Sequence, residues 1–196
     1  MAMFALLIVL AFAFSFVKTV RNPTVLGRSA LWIAFVFGGT LGVTRTATVE
    51  DDDAALDGIL LAPVDRSAIY LGKVASTSLF VFVVNVSTLG ATAVLLGYTP
   101  TLRTALALLG VLAVAAVGFA AVGVVVATLT FRAGLDELVL PLLLVPLVVP
   151  VLLAGVELTA ALTAGSPTES WLRLLVIYTT ILLLAGVATF DFVVEE

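Results

Sequence analysis

The chain of 196 residues is 62% hydrophobic and only 11% charged, and it contains neither histidine nor cysteine. Soluble domains are about half apolar and about a quarter charged, so this composition excludes a soluble globular protein and favours a bilayer as solvent. Without His or Cys the chain has no disulfide, no imidazole or thiolate metal site and no His- or Cys-based catalytic pair, and its net charge of −4 gives no basic footprint for nucleic acid.

Six hydrophobic segments follow one another along the chain. The first, residues 1–17, would be about 25 Å long as a helix, slightly short of a hydrocarbon core of about 30 Å. It lacks the basic n-region and the small-residue cleavage site of a signal peptide, so we interpret it as a span. The other predicted spans are residues 29–43, 73–98, 104–130, 138–162 and 171–190. The sequence therefore predicts an all-α integral membrane protein with one transmembrane domain over residues 1–196.

Glycine, proline and isolated polar residues mark features within these spans. Gly38, Gly39 and Gly42 in the second span predict a close approach of another helix. Three prolines lie in the fifth span: Pro141, Pro146 and Pro150. They predict either a static bend or a mobile gate, and the static bend is favoured slightly because a kink has structural causes that need no motion.

Two intramembrane polar residues, Asn85 and Glu157, are candidates for functional sites. We expect the Asn85 amide to bond a neighbouring helix. Glu157 is expected to reach the lipid headgroups or a helix end, with a proton site as the alternative.

Charge alone does not orient the bundle. An even number of spans places both termini on one side, and the connections on the two sides then carry four and five Lys or Arg residues. The positive-inside rule needs a larger difference than this.

The connection over residues 44–66 is the longest and most polar, and it holds six of the thirteen acids. Thr48 and Asp51 resemble a capping box, and the acids at residues 50–53 would complement the N-terminal dipole of a helix. Leu56, Ile59 and Leu60 follow at helical spacing, and Pro63 stops the pattern. We predict a short amphipathic helix from Val49 to Leu61 outside the bilayer.

The sign of its charge indicates what this helix binds. Helices that rest on membranes favour Lys and Arg on the polar face, whereas this one presents acids. Docking of a protein is therefore favoured over resting on lipid. The residues predicted to take part are Glu50, Asp53, Leu56, Asp57, Ile59, Leu60 and Pro63.

Two stretches carry a family resemblance. Residues 53–63 and 69–73 resemble the "D-G-x-L-E-x-L-x-x-x-P…K" stretch of type-2 ABC exporter permeases, and within them most closely CcmB, the haem exporter permease of cytochrome c maturation. Residues 123–134, followed by the proline-rich residues 138–150, resemble the CcmB pattern of an arginine with two glycines before an apolar helix. The chain departs from that pattern at Ala54, Asp57 and Ala133.

The resemblance implies a multi-pass protein of the cell membrane that acts in haem export or in the release of a haem-loaded chaperone. It implies a cytoplasmic ATPase partner docked on the amphipathic helix, here called the coupling helix, with a second cytoplasmic contact at Arg132 and Gly134. A haem-handling membrane subunit is a further implied partner, and pairing with a second copy is also open. Haem would be cargo, not a cofactor bound directly.

The chain itself is not expected to be an enzyme, because no G-x-x-x-x-G-K-S/T phosphate loop occurs in it. ATP would act through the partner. Two alternatives remain open: a type-2 exporter permease for a lipid or drug, and a proton-coupled secondary transporter that uses Glu157. The second is disfavoured because inverted repeats are not apparent.

Overall fold

A computed structural model describes residues 2–16, 20, 22–52, 65–132 and 139–195. This described part is all-helical and contains no strand. Its six helices are α1 (Ala2–Phe16), α2 (Pro23–Asp52), α3 (Arg66–Leu96), α4 (Leu102–Arg132), α5 (Val139–Ala164) and α6 (Glu169–Glu195). The all-α prediction is confirmed.

Five of these helices are long and apolar enough to cross a bilayer. The crossing segments are Pro23–Thr44, Arg66–Leu96, Leu102–Thr130, Val139–Ala164 and Glu169–Phe190. Helix α1 is apolar but has only 15 residues, about 22 Å at 1.5 Å per residue. Its status as a sixth span stays a prediction.

Helix α2 begins at Pro23, six residues before the predicted start at residue 29. The Thr24 amide donates to Asn22 Oδ1 at 3.0 Å, so Asn22 caps the helix and Pro23 occupies its first position. The Asn22-Pro23 pair therefore starts the helix. Hydropathy missed it because Arg28 and Ser29 interrupt the apolar run near the start of the helix.

Helix α2 also continues beyond Thr44, through Asp52. The capping box predicted at Thr48 and Asp51 is therefore wrong, because a capping residue lies outside the helix that it caps and Thr48 lies within α2. Nothing in residues 44–52 breaks a helix, since the stretch holds neither Gly nor Pro. The remainder of the predicted coupling helix, residues 53–61, lies outside the described residues.

The core forms where glycines let large rings cross between helices. Helix α2 packs against α1, α3, α4 and α5, and α4 packs against α2, α3, α5 and α6. Phe119 of α4 lies over Gly39, where an added Cβ would be 2.8 Å from its ring, and meets Phe35 edge-on at 5.5 Å between ring centroids. The predicted close approach at the α2 glycines is confirmed.

The prolines of α5 divide into two groups. Pro141 lies in the first turn, where a missing N–H costs little, whereas Pro146 and Pro150 lie inside the helix. The Tyr178 hydroxyl of α6 donates to the Leu147 carbonyl at 3.0 Å, in the turn before Pro150. This bond holds α6 against the proline-containing part of α5. The choice between a static bend and a mobile gate stays a prediction.

Candidate functional site

Two of the predicted ATPase contacts, Glu50 and Arg132, lie at helix ends on the same side of the bundle. Because successive spans alternate in direction, the C-terminal ends of α2 and α4 and the N-terminal ends of α3 and α5 face the same side. Arg132 is the last residue of α4, and Glu50 lies in the last turn of α2. The other predicted contact residues lie outside the described residues: Asp53, Leu56, Asp57, Ile59, Leu60, Pro63 and Gly134.

The segments that follow or precede the helix ends on this side, here together called the acidic end, carry most of the negative charge. Residues 44–66, 132–138 and 191–196 carry six, two and three of the thirteen acids. The connections at the opposite end carry five Lys or Arg residues and one acid, Glu169. A charge difference of this size suits the acidic end to a partner with a basic surface, since complementary fields steer association.

The interior of α3 carries a polar stripe. Asn85 is only 2% exposed, and its Nδ2 donates to the Val81 carbonyl of its own helix at 2.7 Å. Among the described residues Asn85 makes no bond to a neighbouring helix, and one N–H of its amide bonds its own helix instead. Oδ1 of Asn85 accepts no hydrogen bond from the residues that the structure describes. Thr88 and Thr92 on the same stripe also bond carbonyls of α3.

Two buried aromatic anchors tie the spans together. Trp32 Nε1 of α2 donates to Thr159 Oγ1 of α5 at 3.0 Å, and its ring fills the space over Gly155. The Tyr70 hydroxyl of α3 donates to the Ala121 carbonyl of α4 at 3.0 Å. Movement of α3 relative to α4, or of α2 relative to α5, would break these bonds, so each anchored pair should move as one body.

The Tyr70 ring also contacts the last helix, α6. It occupies the space beside Gly186, and its centroid lies 5.4 Å from that of Phe190. Sequence analysis missed both anchors. The sequence does show a Trp or Tyr in one span and a glycine in another. It does not show which of them make contact, because Trp32 and Thr159 are 127 residues apart and local patterns do not connect them.

Tyr98, the last residue of the third predicted span, is buried between helix ends. It is 2% exposed, its ring lies against Gly27, and its hydroxyl has no hydrogen-bond partner among the described residues. Burial raises the pKa of the Tyr98 hydroxyl, and the positive charge of Arg28 opposes this shift.

Replacing Tyr98 by Phe should therefore preserve or increase stability at neutral pH, because it removes an unpaired buried hydroxyl that costs about 1 kcal/mol or more. Above the ordinary tyrosine pKa of 10.0, the folded state holds this proton more tightly than the unfolded state, so stability falls as pH rises. Tyr98→Phe should lose less stability between pH 9 and about 11 than wild type in detergent unfolding titrations. An identical alkaline loss in both proteins would contradict the burial of the hydroxyl.

Within the described ranges, no group of three or more His, Cys, Asp or Glu residues could hold a metal ion. His and Cys are absent from the entire sequence, so its side chains offer no imidazole or thiolate to haem iron.

Comparison with known proteins gives one match. The family model described as CcmB protein matches residues 1–193. No curated protein and no solved structure matches the chain.

Proposed function

The chain belongs to the CcmB family of haem exporter permeases, and on that premise we propose that it is the permease subunit of an ABC transporter that acts in cytochrome c biogenesis. The family match over residues 1–193 carries the proposal. The five long apolar helices support a multi-pass membrane protein. The missing phosphate loop supports a separate ATPase subunit as the source of energy.

Within this role, two kinds of work are open: export of haem, and release of a haem-loaded chaperone from a membrane complex. The absence of His and Cys supports release at least as well as export, because the chain lacks the side chains that ligate haem iron most strongly. The aromatic anchors also suit mechanical work, since anchored helices transmit displacement from one end of the bundle to the other.

Membranes from a strain lacking the chain separate the two roles. If the chain drives release, the chaperone should accumulate in the membrane complex with haem bound, and its haem absorption should persist after washing. If the chain exports haem, the chaperone should accumulate without haem. A chaperone that is loaded and released normally would reject both roles.

Topology is a further prediction, with residues 48–66 on the cytoplasmic side. The chain has no native cysteine, so single cysteines can be placed at Asp53 and at Ser166, which the alternation of spans puts on opposite sides. A membrane-impermeant maleimide added from outside should label the cysteine at residue 166 and leave that at residue 53 unlabelled until the membrane is opened. Labelling at residue 53 from outside would reverse the orientation.

A further inference from the structure

Glu157 is an acid placed well inside a membrane-spanning helix. It lies seven residues before Ala164, the last residue of α5, so its backbone is about 10 Å from that end of the helix. Its side chain is half-buried. It makes no hydrogen bond or ion pair with the residues that the structure describes.

The direction of the side chain keeps Glu157 away from the nearer membrane surface. Side chains on an α-helix tilt toward its N-terminus, and the nearer surface for Glu157 lies at the C-terminus of α5. The carboxylate therefore tilts toward the bilayer centre. The expectation that it reaches headgroups stays a prediction, and a charged group left in hydrocarbon is costly.

Glu157 borders an apolar strip on the outer side of α5, here called the α5 outer face and formed by Leu142, Pro146, Val149 and Leu153. These residues recur at spacings of four, three and four, the pattern with which helices pack against one another. Leu142 is 72% exposed and Leu153 is 50% exposed, so none of the described helices covers these side chains.

The α5 outer face offers hydrogen-bond acceptors and few donors. Pro146 and Pro150 have no N–H, so the carbonyls of Leu142 and Pro146 lack their usual helical donors. Together with the Glu157 carboxylate, these groups call for a neighbour that supplies donors and positive charge.

We propose that the α5 outer face docks a transmembrane helix of a partner subunit, and that this helix brings a Lys or Arg side chain to Glu157. A cation at matching depth would satisfy the carboxylate, and the apolar strip would supply the packing that drives association in lipid. The proposal does not depend on the cargo of the permease.

A second copy of this chain fits the face poorly. Symmetric pairing through α5 would bring the two Glu157 carboxylates to the same depth, where like charges repel. The basic residue nearest in depth is Arg28, five residues inside α2. It precedes Trp32 by one turn, so it shares the helix face that points into its own bundle.

Crosslinking in the intact membrane complex tests the proposal. A photoreactive residue at Leu153 should crosslink to another subunit, and the crosslinked helix should carry Lys or Arg within about one turn of the adduct. Leu184 on α6, 64% exposed, serves as the matched control position and should not give this product. Glu157→Gln, which keeps the size of the side chain, should lower the Leu153 yield about tenfold while leaving the membrane level of the chain unchanged.

Charge exchange supplies the decisive comparison. Glu157→Lys should abolish the crosslink, and replacing the partner's cation by Glu should restore it. Adducts to a second copy or to lipid, an undiminished yield with Glu157→Gln, or failure of the exchanged pair to restore the crosslink would each overturn the proposal. These outcomes do not depend on whether the permease acts in haem export or chaperone release. Failure of the proposed function and failure of the docking proposal can therefore be distinguished.

Discussion

Trp32→Ala is expected to destabilise the bundle by about 3–5 kcal/mol, the usual cost of truncating a large buried aromatic side chain. Trp32 is 4% exposed, and its Nε1 donates to Thr159 Oγ1 at 3.0 Å. Its removal opens a cavity beside Gly155 and breaks the contact between α2 and α5. Unfolding in mixed micelles with increasing denaturing detergent measures the change.

Ile33 provides the matched control, because it is the next residue of the same helix and is exposed. Ile33→Ala should change stability by less than about 1 kcal/mol. A double-mutant cycle sharpens the test: Gly155→Ala should destabilise the wild type, whose Trp32 ring occupies the space of the added methyl group, and should cost little when Trp32 is already Ala. Additive effects would contradict the contact.

Leu56→Ala is expected to have the largest effect on assembly. Leu56 belongs to the predicted apolar stripe of the coupling helix, and amphipathic helices bind partners by laying such a stripe in a groove. Truncating a buried anchor costs about 2 kcal/mol or more, which corresponds to roughly a thirtyfold loss of affinity. Co-purification of the ATPase with the tagged chain measures this loss.

Asp53→Ala is the matched comparison, since a rim acid contributes little affinity. It should retain most of the ATPase, and charge reversal at Asp53 should mainly slow association and alter its salt dependence. Membrane levels of both variants should equal those of wild type. Undiminished co-purification for Leu56→Ala would mean that the segment rests on the membrane without coupling to the ATPase.

Hydropathy predicted the spans well because a backbone in lipid must satisfy its own hydrogen bonds, which leaves helices as the choice for long apolar segments. It predicted their ends poorly. Helix α2 extends from Pro23 to Asp52, well beyond its apolar centre, because a helix that leaves the bilayer can continue in polar surroundings. The Thr48 capping box failed for this reason, since its polar residues continue a helix and do not begin one.

The contacts between spans could be predicted from the sequence only in part. Gly39 signals a close approach, but its partner Phe119 lies on a helix that no local pattern identifies. Asn85 bonds its own helix, and Trp32 bonds Thr159 far along the chain. In uniformly apolar helices the pattern that marks a buried face is weak, because lipid and core favour the same side chains.

Covalent haem in c-type cytochromes tests the central claim, that this chain is the permease of a cytochrome c maturation system. Deleting its gene in the parent organism should abolish haem attached to every c-type cytochrome while leaving b-type cytochromes at normal levels, and the wild-type chain should restore attachment. Haem staining of denatured membrane proteins separates the two classes, because only covalent haem survives. Normal covalent haem in the deletion strain would contradict the account.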